Sequence, residues 1–183
     1  MDTRDLIITH ALATIEANGV AGFSTRAVCA LAGVTAPTLY HHFGSADGLL
    51  SAAVSRGFDL FLARKTTRAP IDDPAIDLLD GWDDYVAFAR ERPHLYAAMT
   101  ARILSGADIS AAALARQHLV EKLTALETRN ALMAQVSTAA DLLWSTAHAA
   151  ALLCVSGAGP PDPAVLAALR KTAAGVLRTP PTL

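Results

Sequence analysis

The segment "FSTRAVCALAGVTAPTLYHHF", residues 23–43, packs two helix starts and a helix stop into a short span. Ser24 suits an N-cap, because its hydroxyl can accept an orphan amide of the first turn, and Phe23 before it can staple onto Val28. Gly33 is the residue type favoured just past a helix C-terminus. The start device then repeats. Thr35 caps, Val34 staples onto Leu39, and Pro37 falls in the first turn, where its missing N–H costs nothing. Two capped helices separated by Gly-Val make a helix-turn-helix, and its second helix ends on Tyr40, His41, His42 and Phe43.

On that short helix Leu39 and Phe43 lie four apart and point into a small core. Pro37, Tyr40 and His41 share an outward face, with Thr38 and His42 on an adjacent one. Such a surface suits phosphates and base edges, since helix N-termini, hydroxyls and imidazoles all donate to phosphate oxygens. The pattern alone also fits a plain αα-hairpin. A metal site at His41-His42 is disfavoured: neighbours on a helix point about 100° apart, and no other ligand type sits nearby.

Outward from this segment, nearly every periodic stretch reads as helix. Ile8, Ala11, Leu12 and Ile15 form one apolar stripe, stopped by "NGVAG". A long helix runs from about Ser45 to Arg68. Asp73-Pro74 starts another, which Pro93 interrupts after Arg92 and restarts, and "SGAD" closes it near Leu104. Two more cover Ser110 to Glu127 and Asn130 to Ser156. Asp162-Pro163 opens a last helix that reaches Arg178. The expectation is an all-α chain of about nine helices, without strands or internal repeats.

Composition narrows the class. The 183 residues carry a net charge of −2, so the chain as a whole is no polycation. Its start, "MDTRDLIITH", lacks a signal-peptide block, which argues for the cytoplasm. Cys29 and Cys154 match no metal spacing and read as reduced core thiols. The uncharged run from Leu142 to Pro161 is long enough to span a bilayer, but its polar residues and alanine content read as a buried helix, so no membrane partner is expected. There is no G-x-S-x-G, no H-E-x-x-H and no phosphate loop, and neither an enzyme nor a cofactor is expected.

The stretch "FSTRAVCALAGVTAPTLYHHFGSADGLL" resembles the DNA-binding segment of TetR/AcrR-type transcriptional regulators. The family's spaced pattern falls on Ser24, Arg26, Val28, Ala32-Gly33-Val34, Thr35, Tyr40, His42 and Phe43, and the likeness runs over about residues 4 to 60. The resemblance implies that Tyr40 and His42 hold the DNA backbone and that Thr25 touches phosphate. It places Thr35, Ala36, Pro37 and His41 at or near the major groove, with Thr38 beside them. One departure stands out: where such regulators carry a lysine at the start of the fourth helix, this chain has Ala46. Residues 1–50 hold only Arg4 and Arg26 against Asp2, Asp5, Glu16 and Asp47. Because counterion release is a main source of DNA affinity, this surface is expected to bind less strongly than a basic one. Arg26 also fits a simple ion pair inside the small domain.

Two later stretches, "DDYVAFARERPHLYAAMTA" and "LLWSTAHAAALL", resemble the family's subgroup with a Trp…His-Gly signature. Trp144 and His148 match, and Ala149 replaces the glycine. In a family that binds small molecules between such helices, Trp82, Tyr85, Phe88, Tyr96, Met99, Ile103, Trp144 and His148 are candidate ligand contacts, although core packing is the commoner role for such residues. Leu132, Val136, Leu143, Ala147, Ala150, Ala151 and Cys154 give the eighth helix a broad apolar surface. Leu166, Leu169, Ala173, Val176 and Leu177 do so for the last. A two-fold dimer through these helices is the economical reading.

The sequence therefore predicts a DNA-binding module over residues 1–64 and a ligand-sensing and dimerising domain over 65–183. The expected function is a homodimeric repressor, released by an unknown small molecule from a near-palindromic site on double-stranded DNA. A helical ligand-binding or scaffold protein with weak or lost DNA binding is the alternative.

Overall fold

The computed structural model describes residues 2–66, 71–106, 110–156 and 159–178. Over these the chain forms nine helices: α1 (Thr3–Asn18), α2 (Thr25–Ala32), α3 (Ala36–Phe43), α4 (Ala46–Thr66), α5 (Pro74–Glu91), α6 (Pro93–Leu104), α7 (Ser110–Thr128), α8 (Val136–Val155) and α9 (Pro163–Ala174). The all-α class is as the sequence indicates. Residues 67 and 68, where α4 was expected to end, lie outside the described residues, as do 107 and 108 of "SGAD" and 157 and 158 of "GAGPP".

The backbone resolves into two compact units, Met1–Ala63 with Arg92–Ala111, and Arg64–Glu91 with Ala112–Leu183. This grouping differs from a division at 64/65, because α6 packs on α1 in the first unit although it follows α5 in the chain. In that unit Ile7, Ile8, Ala11, Leu12 and Ile15 of α1 are buried, with Val28 of α2, Leu39 of α3, and Leu49, Val54 and Phe58 of α4. Close contacts tie α6 to α1 and α4. Gly57 of α4 leaves room for Leu95, whose Cδ1 would lie 2.7 Å from any added Cβ. Arg92 reaches Glu16 at 2.7 Å, and His94 Nδ1 lies 2.9 Å from the Glu16 carbonyl.

In the second unit α8 packs against α5 and α9. The buried face of α8 carries Ala139, Ala140, Leu143, Ala147, Ala150 and Ala151. Small side chains let the neighbouring helices approach closely, and Leu78, Leu79 and Trp82 of α5 fill that face together with Leu123 and Leu126 of α7. By length and composition α8 is able to cross a membrane, and it is the one such helix among the described residues.

The ends of α8 and α9 correct the sequence reading. The eighth helix begins at Val136 rather than Asn130, and the ninth stops at Ala174 rather than Arg178. Asn130 turns out of α7 with φ 53, and Leu132 then pairs with Leu177 in an isolated antiparallel bridge. Met133 N donates to the Val176 carbonyl at 2.8 Å, and Arg178 N to the Ala131 carbonyl at 2.8 Å. The helical period ran through both segments on paper, but these long-range backbone bonds satisfy the same groups and bury Leu132, Val176 and Leu177.

Candidate nucleic-acid interface

Each residue of the helix-turn-helix is set by local chemistry. The Ser24 hydroxyl accepts from Ala27 N at 3.5 Å, placing half-buried Thr25 and exposed Arg26 in the first turn of α2. Gly33 takes the left-handed conformation (φ 65), which lets Val34 N donate back to the Cys29 carbonyl at 3.0 Å and turns the chain into α3. Thr35 Oγ1 accepts from Thr38 N at 3.4 Å and lies 2.9 Å from Thr38 Oγ1. Pro37 has no N–H, so Ala36 N–H is the first-turn amide of α3 that makes no hydrogen bond among the described residues.

Leu39 is wholly buried and anchors α3, while Ala36, Pro37, Tyr40 and His41 are exposed, Tyr40 at 45%. Thr38 and His42 are half-buried. The His41 and His42 rings meet edge to face with centroids 5.6 Å apart, and His42 lies 6.1 Å from Phe43. Phe43 is half-buried rather than fully core, with the Arg4 guanidinium 5.4 Å from its ring centroid. Seven of the eight candidate contacts thus lie on α3 or at its N-cap, and Thr25 lies in the first turn of α2. The alternative of an ion pair for Arg26 finds no partner: among the described residues no carboxylate lies at ion-pair distance from it.

At the start of α4, Ser45 Oγ accepts from Gly48 N at 2.9 Å. Ala46 is exposed in the first turn. Beside it, Asp47 receives Arg102 of α6 through both carboxylate oxygens, at 2.5 and 2.9 Å. The hydrogen bonds from Arg102 hold the Asp47 carboxyl below its usual range. Arg102 also reaches Ser51 Oγ. No sequence spacing signalled this clamp, since its partners come together only through the packing of α6 in this unit.

Residues 7–53 match the family model for bacterial regulatory proteins of the tetR family. Residues 7–53 are thus a TetR-type helix-turn-helix module. The chain's backbone is similar to that of solved structures. A protein with unknown function from Rhodococcus sp. RHA1 superposes with a TM-score of 0.79 at 25% identity, over 97% of each chain. A TetR-like transcriptional regulator from the same organism gives 0.62 at 20% identity, over 93% of each chain. The multidrug binding protein EbrR, complexed with imidazole, gives 0.66 at 21% identity, over 98% of this chain and 92% of that one. Among curated proteins nothing matches the chain.

The second unit holds a cluster of rings. Tyr85 Oη lies 3.0 Å from His148 Nδ1. The His148 ring stacks on both Tyr85 and Trp144, with centroids 5.5 and 5.3 Å away. Burial lowers the His148 imidazole from its ordinary value. Trp82 is buried and its Nε1 donates to Thr146 Oγ1 at 3.2 Å, and Phe88 is also buried. Tyr96, Met99 and Ile103 stand on α6 in the first unit, the first two buried and Ile103 half-buried. The candidate ligand contacts are therefore divided between the two units.

The residues expected at a dimer surface differ in their exposure within the single chain. Leu143, Ala147, Ala150, Ala151, Ala173, Val176 and Leu177 are buried inside the single chain, and Cys154, Leu166 and Leu169 are half-buried. Their apolar stripes fold against one another in the second unit, so the surplus of apolar surface inferred from the sequence is largely consumed there. What α8 turns outward is Leu142, Leu152 and Leu153, and what α9 turns outward includes Val165.

Proposed function

We propose that this chain is a cytoplasmic, homodimeric transcriptional repressor, released from a near-palindromic DNA site by a small molecule. The observation that carries the reading is α3: Leu39 seats it in the core while Pro37, Tyr40 and His41 are turned outward. In this reading Tyr40, His42 and Thr25 hold phosphates, and Thr35, Ala36, Pro37, Thr38 and His41 face the major groove. Residues 1–64 bind DNA and 65–183 sense ligand and dimerise, with α6 lending support to the DNA-binding part.

The half-buried Tyr85, Trp144 and His148 rings support a site for a planar or aromatic ligand. EbrR, of similar fold, is a multidrug binding protein solved with imidazole, which is in keeping with that class. The second copy docks on the outward face of α8 and α9, where Leu142, Leu152, Leu153 and Val165 are 40, 47, 38 and 44% exposed. Ligand binding alters the separation of the two recognition helices through α4, whose sequence runs from one unit into the other.

The neutral Ala46 and the few cations of residues 1–50 favour a second reading, a helical ligand-binding protein whose DNA binding is weak or lost. A salt-dependent shift assay on the chain's own promoter region decides between them. Retarded complexes that dissolve as salt rises support the repressor, and none at any salt supports the alternative.

A further inference from the structure

The first unit contains five arginines and no lysine. Three have their charge answered by carboxylates: Arg56 by Asp5 at 2.8 Å, Arg92 by Glu16 at 2.7 Å and Arg102 by Asp47 at 2.5 Å. Among the described residues, Arg4 and Arg26 have no carboxylate at ion-pair distance, and both are exposed. Arg4 differs from Arg26 in being held. Its backbone N–H donates to Asp2 Oδ1 at 2.6 Å, which fixes the start of α1, and its guanidinium rests 5.4 Å from the Phe43 ring centroid. A guanidinium over an aromatic ring is attracted to the ring face while its N–H groups remain able to donate elsewhere. Phe43 is the last residue of α3, so the guanidinium stands at the C-terminal end of the helix that also carries exposed Tyr40 and His41.

We propose that Arg4, seated on Phe43, binds a backbone phosphate of double-stranded DNA at the edge of the groove that α3 enters. The assignment rests on the DNA-binding reading above. It gives the surface a preordered cation where the start of α4 offers only Ala46. Because the side chain is already parked on a ring, little rotamer freedom remains to be lost when the phosphate arrives. The contact carries no base information and acts on every sequence alike.

The test is fluorescence anisotropy of the full chain on two labelled duplexes, its own promoter region and a scrambled sequence of equal length, across a salt series. Arg4→Gln is expected to make the slope of log K against log salt shallower by about one unit per subunit on both duplexes. Arg4→Lys, which keeps the charge, is expected to retain the parent slope. Parent slope and affinity in Arg4→Gln, with the parent still binding, would overturn the assignment alone. Equal losses in the Gln and Lys variants would mean a structural role and overturn it too. A parent that binds neither duplex at low salt would overturn the DNA-binding reading, and the Arg4 contact with it.

Discussion

Arg102 of α6 holds Asp47 of α4 through two hydrogen bonds, and so answers the charge of a carboxylate that follows closely on α3. The pair is more than surface decoration, because the Arg102 side chain is only 15% exposed while the Asp47 side chain is 70% exposed. Removing the cation frees a negative charge where DNA phosphates are expected. Arg102→Gln should weaken binding to any duplex, and adding Asp47→Asn should recover most of the loss. A double-mutant cycle in DNA affinity measures this coupling, and simple additivity would show that Asp47 does not face the DNA. Since Asp47 has a lowered pKa, the ion pair's contribution to stability is present above the ordinary carboxylate range. It is lost only as pH falls through the lowered value, so it is constant near neutrality.

The turn between α3 and α4 depends on a glycine. A Cβ on Gly48 would lie 2.1 Å from the Phe43 carbonyl oxygen, a backbone atom that has no easy retreat. Gly48→Ala should destabilise the folded chain by about 1–3 kcal/mol, the usual cost of forcing a packed contact apart. Urea unfolding of the variant beside the parent measures it, and an unchanged midpoint would show that the turn relaxes freely.

His148 should make stability depend on pH near neutrality. Burial lowers its folded-state pKa below the ordinary 6.5, so the unfolded chain binds the extra proton first. The stabilisation is complete above the unfolded pKa and is lost as pH falls through the folded one. Thermal midpoints should therefore drop as pH falls below about 6.5, and His148→Gln should flatten the profile. A His148 resonance that titrates above the ordinary value would contradict this.

Oligomeric state separates two faces of α8. Leu152→Glu with Val165→Glu places charge on exposed positions and should give folded monomers. Ala147→Glu and Ala151→Glu bury the charge inside the single chain instead and should unfold it. Light scattering and circular dichroism on both sets distinguish the outcomes. A parent that is monomeric at micromolar concentration would remove the dimer from the account.

The sequence was most legible where local chemistry decides the structure. Ser24, Gly33, Thr35, Asp73 and Asp162 each cap or end a helix through bonds to neighbours in the chain, and each was readable from residue type and spacing. The outward placement of Tyr40 and His41 followed from helical period alone. Legibility failed where distant segments compete. Helical period could not foresee that Leu132 and Leu177 leave their helices to pair with each other. An apolar stripe likewise does not say whether it meets its own chain or another, which is why Ala147 and Ala150 read as interface and lie in the core. The Asp47–Arg102 and Tyr85–His148 contacts join residues far apart in sequence, and neither pairing leaves a motif.

The central claim is that α3 reads DNA as one of a two-fold pair, and enrichment of bound duplexes from a random library tests it most directly. The account predicts a near-palindromic consensus with half-site centres about 34–36 Å apart, or a multiple of that. It also divides the labour on the helix. Tyr40→Phe should weaken all enriched sites alike, while His41→Ala should re-rank them, at roughly 1–3 kcal/mol per lost base contact. Failure to enrich any two-fold motif, or identical rankings in both variants, would contradict it.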